Sequence, residues 1–302
     1  MRHFLIDTDT ASDDAVALVM ALRDPHVQIE AITVVAGNVS LDQGLQNALY
    51  TVELCQKQVP VYRGMAAPTL RPLETAQDIH GQDGMGDIGL PLSGRIPATG
   101  HAVDIIRETI NRHPGEITIV ALAPLTNIAM AILLDPPLAS KVKECIIMGG
   151  TAQGIGNINP VAEFNIWVDP EAAKIVFSSQ MPITMVDWYT STAFATVSPT
   201  EASTLRNIGT TLAKFCVDIQ ATHATEKGFV IADPIAMAIA LDRSVATETK
   251  RLFVDIETVS AISRGQTIVD HLGLTKQQPN ADVVLSASHE RFLQILLKSV
   301  QD

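Results

Sequence analysis

Short, continuously apolar segments alternate along the chain with longer segments of helical spacing, and this alternation most constrains the fold. The apolar segments are HFLID, QIEAITVVAG, EITIVALAP, ECIIMGG and MPITMVDW. Strands buried on both faces of a parallel sheet have this composition, whereas half-exposed strands alternate apolar and polar residues. The segments between them, such as DDAVALVMALRD and AVDIIRETINRH, place apolar residues at helical spacing. We therefore predict an α/β fold with a Rossmann-like, mostly parallel central sheet flanked by helices.

The pattern changes after about residue 190. Helical segments, including DPIAMAIALD, come first, and short strand-like pieces follow around LFVDIETVS, QTIVDHL and ADVVLSA. We predict a C-terminal helical and short-strand region appended to the same core. No linker rich in Pro, Gly or Ser separates the halves, so we expect residues 1–302 to form a single domain. Residues 71–99 contain HGQDGMGDIGLPLSG and are predicted to form a long surface loop of the kind that often acts as a lid.

Charge and cysteine content exclude several classes of partner. The 21 basic and 33 acidic residues give a net charge of −12, which argues against nucleic acids and anionic membranes. No apolar run approaches the roughly 18 residues that span a bilayer. The three cysteines are far apart and form no CxxC pair, so neither a disulfide framework nor a cysteine zinc site is expected. This usage fits a reducing cytoplasm.

Four aspartates lie within eight residues directly behind the first apolar segment, in DTDTASDD. Ser12, Asp13 and Asp14 suit the amino terminus of the following helix, where N–H groups and the macrodipole favour negative charge. Capping does not account for Asp7 and Asp9 as well, because like charges this close raise one another's pKa unless a cation or protons intervene. The spacing therefore favours a divalent-cation site, and ligands that are all carboxylates point to Ca²⁺ or Mg²⁺ rather than Zn²⁺.

Further polar residues follow other predicted strands. Asp233 in VIADPIAM could supply another oxygen ligand, although Asp before Pro is equally an ordinary helix start. Amides and a carboxylate also cluster after ECIIMGG, at Asn157, Asn159, Glu163 and Asn165. This cluster suits a neutral polyol, whose hydroxyls both donate and accept hydrogen bonds, but a hydrophilic loop explains it equally well.

Three single residues are weaker candidates. Asn38 ends the segment VVAGN, where the tolerance of Asn for the left-handed conformation in a turn is a sufficient structural reason. His80 and His223 lie in predicted loops, where an imidazole could transfer protons, although a lone histidine is more often incidental. The fragment GIGN has no following GxxG and does not indicate dinucleotide binding.

The ordered set of these segments resembles the calcium-dependent inosine-uridine preferring nucleoside hydrolases. DTDTASDDAVAL resembles the DxDPGxDDxxAL signature of that family. The likeness continues in the family's order through VVAGN, LAPLTNIAMA, IIMGG, GNINPVAEFNIWVDPEAA and ADPIAMA. The resemblance implies that the chain hydrolyses the N-glycosidic bond of ribonucleosides to ribose and a free nucleobase, as a homodimer or homotetramer.

The resemblance also implies a role for each matching residue. Ca²⁺ would be bound by the carboxylates of Asp9, Asp14 and Asp233 and by the main-chain carbonyl of Leu122. Asp9 would also act as the general base on a calcium-bound water that attacks the anomeric carbon. The ribose hydroxyls would be held by polar side chains from several blocks, namely Asp13, Asn38, Asn157, Glu163 and Asn165. Asp7 receives no firm role.

The chain departs from the family pattern at the turn and at the leaving-group position. Thr10 and Ala11 replace the usual Pro-Gly, and Ala232 stands where members acting on inosine and uridine often carry a histidine acid. His80, which matches a lid histidine, and His223 are the nearest replacements, so both are candidate catalytic residues.

The same comparison gives a prediction about the nucleobase. The lid histidine is typical of broad or pyrimidine-leaning members, whereas purine-specific members use tryptophans to sandwich the base. Neither Trp167 nor Trp188 falls at an obvious sandwich position. We therefore expect a relaxed or pyrimidine-leaning preference.

Two other functions are compatible with parts of this pattern. A calcium-dependent nucleoside-binding protein that has lost turnover would explain Ala232. A haloacid-dehalogenase-like phosphatase also opens with a strand followed by DxDx and would use Asp7 as its nucleophile. That class requires Thr or Val at the position of Ala11, and it does not require Asp13 and Asp14.

Overall fold

The structure, a computed structural model, describes residues 1–301 of the chain. Its strands are β1 (Arg2–Thr8), β2 (Val27–Val34), β3 (Val61–Arg63), β4 (Ala98–His101), β5 (Ile117–Ala121), β6 (Glu144–Met148), β7 (Ile183–Val186), β8 (Thr196–Val197), β9 (Phe229–Val230), β10 (Ala246–Ile256), β11 (Thr267–Asp270) and β12 (Ala281–Ala287). The five apolar segments predicted as buried strands correspond to β1, β2, β5, β6 and β7.

Helices connect most of these strands. They are α1 (Ser12–Arg23), α2 (Leu41–Leu54), α3 (Gln77–His80), α4 (Ala102–Arg112), α5 (Thr126–Leu134), α6 (Phe164–Val168), α7 (Pro170–Ser178), α8 (Trp188–Phe194), α9 (Pro199–Asn207), α10 (Thr211–Asp218), α11 (Ala232–Leu241) and α12 (His289–Ser299). Among residues 1–301, no helix combines the length and apolar character needed to cross a membrane.

Ten strands form one sheet in the order β11-β10-β12-β7-β6-β5-β1-β2-β3-β4, and β8 and β9 form a separate ribbon. Strand β10 runs antiparallel to both of its neighbours, and the other pairings within the large sheet are parallel. The predicted α/β class with a mostly parallel sheet is therefore confirmed. The appended C-terminal strands join the same sheet, because β12 pairs with β7.

The strand order reverses at β1, and this reversal determines where along the sheet the site lies. The chain proceeds from β1 through β2, β3 and β4 toward one edge, then returns to the other side of β1 with β5 and continues outward. A crevice opens at such a reversal, because the connections from the two neighbouring strands leave in opposite directions. The residues that follow β1 and β5 therefore meet at the carboxyl ends of adjacent strands.

Apolar packing covers both faces of the sheet. Phe4 and Ile6 of β1 point to one face, which α1, α2, α10, α11 and α12 cover. Leu5 points to the opposite face, which α4, α5 and α7 cover. Burying one large aliphatic or aromatic side chain contributes roughly 1.5–3 kcal/mol, so both layers hold β1 rigidly at the centre.

The predicted loop of residues 71–99 is mostly irregular, and it contains α3 and the beginning of β4. It is nevertheless anchored, because the side chain of Met85 is fully buried. Gly86 has a φ of +78°, and a Cβ there would lie 2.7 Å from the carbonyl oxygen of Ile219. The loop is thus fixed against the end of α10, and this contact places its histidine over the carboxyl edge of the sheet.

Candidate active site

A cavity of about 580 Å³ opens at the carboxyl ends of the central strands. Its polar lining includes predicted site residues from four separate parts of the chain, at Asp13, Asn38, Glu163 with Asn165, and Asp233. Its apolar lining includes Met148, Phe164, Trp188 and Phe229. A concave site with a polar end and apolar walls is suited to a small ligand that has both kinds of surface.

The short connection from β1 to α1 positions the first carboxylates. Ala11 is the N-cap of α1, and its N–H donates to Asp14 Oδ2 at 3.0 Å. The predicted positions of Asp13 and Asp14 in the first turn of α1 are confirmed, whereas the Ser12 hydroxyl bonds to His80 Nδ1 at 2.8 Å instead of capping the helix. Ala11 has a φ of −105°, so this turn does not require the glycine of the family signature.

The start of α11 lies next to the same carboxylates. Its N-cap, Ile231, makes no side-chain cap bond, so the interpretation of Asp233 as a helix cap is wrong. The N–H of Ala232 instead donates to Asp13 Oδ2 at 3.2 Å. Two helix amino termini therefore point at one acidic cluster, and their partial positive charge stabilises it.

Three carboxylates form the centre of this cluster. Oxygen atoms of Asp13, Asp14 and Asp233 lie within 4.8 Å of one another, and all three residues are buried. Burial raises the pKa of Asp14 to about 7. Burial and the charge of Asp14 raise the pKa of Asp233 well above its ordinary range. Such a cluster releases its protons readily only when a positive charge is present.

The cluster fits a hard divalent cation. Its donors are oxygen atoms, and Asp13 Oδ1 is a buried acceptor that has no hydrogen-bond partner within residues 1–301. The carbonyl of Leu122, directly after β5, is close to the same cavity and accepts a bond from Asn165 Nδ2 at 3.1 Å. Oxygen ligands from carboxylates and a main-chain carbonyl are the kind that hard divalent cations such as Ca²⁺ and Mg²⁺ bind.

Asp9 lies beside the trio and is fully buried. The N–H of Asn38 donates to Asp9 Oδ2 at 2.5 Å, and Asn38 Nδ2 lies 3.3 Å from Asp9 Oδ1 and 3.4 Å from Asp14 Oδ2. Asn38 has a negative φ, so the left-handed turn interpretation is wrong. Burial and the charge of Asp14 raise the pKa of Asp9 well above its ordinary range.

Gly37 is a site residue that the sequence reasoning missed. A Cβ on Gly37 would lie 2.1 Å from Asp9 Oδ2, so only glycine leaves room for this carboxylate. Its position directly before the candidate residue Asn38 in VVAGN is the sequence feature that could have identified it.

Asp7 is held beneath the cluster by a separate set of bonds. Asp7 Oδ1 accepts from Thr33 Oγ1 at 2.5 Å and from Asn127 Nδ2 at 2.8 Å. Burial raises its pKa to about 7, and its side chain does not line the cavity. Asp7 therefore links β1 to β2 through Thr33, and it links β1 to α5 through Asn127 of LAPLTNIAMA.

Glu163 and Asn165 form another wall of the site. Glu163 is the N-cap of α6, and it accepts from the N–H groups of Gly150, Asn165 and Ile166. Burial raises the pKa of Glu163 to about 7. Asn157 is more exposed, and its Oδ1 accepts from the Phe164 N–H at 2.9 Å.

The two candidate histidines meet across the cavity. The rings of His80 and His223 lie edge to face, with centroids 5.7 Å apart, and His80 Nδ1 is 3.9 Å from Asp13 Oδ1. Burial lowers the pKa of both imidazoles. Ala232 also lines the cavity and offers it no side-chain donor, and within residues 1–301 His80 and His223 are the histidines that share this lining.

Trp188 is a second residue whose place the sequence did not predict. It lines the cavity at the start of α8, whereas Trp167 lies elsewhere and stacks on Arg264. Lys227 also lines the cavity, and it is the only lysine or arginine to do so within residues 1–301. Neither position is marked by a periodic pattern, because Trp188 is the first residue of α8 and Lys227 lies in a turn.

Comparison with known proteins agrees with this geometry. The sequence matches the family model for inosine-uridine preferring nucleoside hydrolases over residues 4–294. It is similar to the pyrimidine-specific ribonucleoside hydrolase RihA of Salmonella paratyphi A, with 36% identity covering 98% of this chain and 97% of the relative.

Solved structures share the fold over nearly the whole chain. A plant nucleoside hydrolase matches with a TM-score of 0.93 and 31% identity, covering 99% of both chains. The purine-preferring ribonucleoside hydrolase from Gardnerella vaginalis matches with a TM-score of 0.91 and 29% identity, covering 99% of this chain and 98% of the other.

We predict that Glu163 makes the stability of the metal-free protein fall with increasing pH. Between its ordinary pKa of 4.5 and its folded pKa of about 7, only the folded state retains the proton. Its contribution is therefore complete below pH 4.5 and is lost as the pH rises through 7. In chelator, Glu163→Gln should reduce the slope of unfolding free energy against pH by up to about 1.4 kcal/mol per pH unit.

Chemical denaturation at several pH values between 4.5 and 8 measures this slope. Glu108→Gln, on the exposed surface of α4, is the matched control and should retain the parent slope. Equal slopes for Glu163→Gln and the parent would show that the buried carboxyl does not retain its proton.

Proposed function

The chain belongs to the inosine-uridine preferring nucleoside hydrolase family, and we propose from this premise that it hydrolyses ribonucleosides to ribose and a free nucleobase. The family match over residues 4–294 carries the proposal. It is supported by the predicted residues that line one cavity, namely Asp13, Asn38, His80, Leu122, Asn157, Glu163, Asn165, His223 and Asp233. We further propose that pyrimidine ribonucleosides are preferred. The 36% identity to a pyrimidine-specific relative and the position of His80 support this preference.

The carboxylates of Asp9, Asp14 and Asp233, with the carbonyl of Leu122, would hold Ca²⁺. When bound, the cation supplies the positive charge that lowers the pKa of a nearby water and of the surrounding carboxylates. The oxygen-only donors and the unpartnered Asp13 Oδ1 support a hard cation at this place. Mg²⁺ has the same preference for oxygen, and the family resemblance decides for Ca²⁺.

The ribose would bind with its hydroxyls toward the polar end of the cavity. Asp13 and Asn165 would hold the 2′- and 3′-hydroxyls, and Asn38 would line the same end of the sugar; all three residues line the cavity. Asn157 and Glu163 line the wall that would face the 5′-hydroxyl. A sugar held by several fixed groups loses its rotational freedom before the reaction, which lowers the barrier.

Asp9 would be the general base. Its carboxylate is fixed by Asn38 and accepts the proton of the water that attacks the anomeric carbon. As the C–N bond breaks, positive charge develops on the sugar ring, and the surrounding carboxylates stabilise it.

The departing nucleobase must receive a proton or a hydrogen bond, because it leaves poorly as an anion. Ala232 offers neither from its side chain, so we assign this role to His80 and His223. The bond between the Ser12 hydroxyl and His80 Nδ1 supports the assignment. When Ser12 donates this bond, the neutral ring carries its hydrogen on Nε2 and donates a hydrogen bond to the departing base, whereas full proton transfer requires the imidazolium form.

Three broader properties complete the proposal. We propose that residues 1–302 form a single nucleoside hydrolase domain and that the protein assembles as a homodimer or homotetramer, as the family resemblance implies. We also propose a cytoplasmic location. The three cysteines are free and buried, which is compatible with a reducing compartment.

A panel of substrates tests the function directly. With Ca²⁺ present, the protein should release reducing sugar from uridine and cytidine faster than from inosine and adenosine. Binding of a nucleoside by calorimetry without sugar release would instead identify a binding protein. Phosphate release from p-nitrophenyl phosphate, with no sugar release from uridine, would identify a phosphatase.

Replacing Asp9 tests the general base. We expect Asp9→Asn to lower kcat for uridine by about 10²–10⁴-fold, because Asn cannot accept the proton, while ribose binding changes far less. Asp104→Asn, on exposed α4, is the matched control and should retain parent activity. Near-parent kcat in Asp9→Asn would remove Asp9 as the base.

A change of leaving group tests the histidines. We expect His80→Ala and His223→Ala each to lower kcat for uridine by about 10²-fold, a typical contribution of a general acid. p-Nitrophenyl riboside releases a stable anion that needs no proton, so its hydrolysis should fall by less than about 10-fold. Equal losses on both substrates would show that the histidines do not assist the leaving group.

A further inference from the structure

The turn between β1 and α1 contains a chain of hydroxyl groups that ends on Asp14. Thr8 Oγ1 lies 2.6 Å from Asp14 Oδ1 and 3.0 Å from Thr10 Oγ1. The backbone N–H of Thr10 also donates to Thr8 Oγ1, at 3.1 Å. All three residues have no exposed surface, so solvent does not compete for these bonds.

The direction of each bond follows from the hydrogens available. A threonine hydroxyl has one hydrogen and accepts two bonds. When Asp14 is a carboxylate, Thr8 must donate its only hydrogen to Asp14. Thr10 must then donate its own hydroxyl hydrogen to Thr8, and its N–H fills the second acceptor position. Each donated bond polarises the next, which strengthens the final bond to the charged oxygen.

Both oxygens of Asp14 are thereby fixed in the turn. Oδ1 accepts from Thr8, and Oδ2 accepts from the N–H of Ala11 at 3.0 Å. The turn itself is tied to α2, because the carbonyl of Thr10 accepts from Asn47 Nδ2 at 2.9 Å. The carboxylate plane is set by these contacts, independently of a ligand.

We propose that Thr10 is a positioning residue which, through Thr8, holds the Asp14 carboxyl group oriented for the divalent cation. The proposal rests on the metal-binding role proposed above for Asp14. Thr10 stands where the signature of related chains has proline, which has neither an N–H nor a hydroxyl to donate. The threonine is therefore not a neutral replacement, because it adds two donors behind a metal-binding carboxylate.

Metal affinity measured without turnover tests this role. Calorimetry of the chelator-treated protein with CaCl₂ should give about 10–100-fold weaker binding for Thr8→Val, in the range typical of groups that orient a metal ligand. Thr10→Val keeps the shape and the N–H but loses the hydroxyl, so we expect about 10-fold weaker binding. Thr10→Ser keeps both donors and should bind within about 2-fold of the parent.

Two controls separate positioning from packing. Thr190→Val removes another buried hydroxyl, whose bond goes to the carbonyl of Val284, and should leave calcium affinity unchanged. Unfolding midpoints in chelator show whether each variant retains its fold, and Thr10→Ala provides a second test if valine destabilises the turn.

Failure of the positioning role and failure of the proposed metal site give different results. Parent-like calcium affinity in Thr10→Val and Thr10→Ala would overturn the positioning role alone, as would equal losses in Thr10→Ser and Thr10→Val. A parent protein that binds neither Ca²⁺ nor Mg²⁺ would overturn the metal role of Asp14, and with it this inference. Hydrolysis of uridine without added metal would then show that the catalytic proposal had survived separately.

Discussion

The burial of several carboxylates at one point is the constraint on which the rest of the structure depends. Asp9 and Asp14 have no exposed surface, and Asp233 is 2% exposed. An uncompensated charge in a protein interior costs several kcal/mol, so protons, hydrogen-bond donors or a cation must offset it. N–H groups at the starts of α1 and α11 and in the turn after β2 donate hydrogen bonds to these carboxylates. The pKa values of Asp9 and Asp14 are nevertheless raised, so these donors do not fully compensate the buried charge. The negative charge that these donors leave uncompensated makes the cluster suitable for a divalent cation.

The sheet order provides the geometry for this concentration of charge. Strands β1 and β5 are neighbours although they are distant in sequence, and α11 brings a further carboxylate from the C-terminal half. Because both faces of β1 are covered by apolar layers, the strand cannot shift to relieve repulsion at its end. The apolar packing of the sheet therefore keeps these carboxylates close together although they repel one another, as is common where catalysis depends on perturbed pKa values.

The departures from the family signature concentrate around this site and have separate physical explanations. Ala11 is extended, so the turn tolerates the loss of glycine, and Thr10 adds donors that proline lacks. Ala232 leaves the cavity without a side-chain donor at its position, while His80 and His223 meet across the same space. The sequence showed each substitution, but only the contacts show which ones change the chemistry.

By itself, the sequence determined the α/β class, the five central strands and the grouping of the acidic and amide residues. These features depend on local periodicity and on ordered motifs, which are visible along the chain. Only the tertiary structure decided that Ser12 bonds to His80 instead of capping α1, that Asp13 receives the N–H of Ala232, and that Trp188 lines the cavity. These outcomes depend on contacts between residues far apart in sequence, and local patterns do not record such distances.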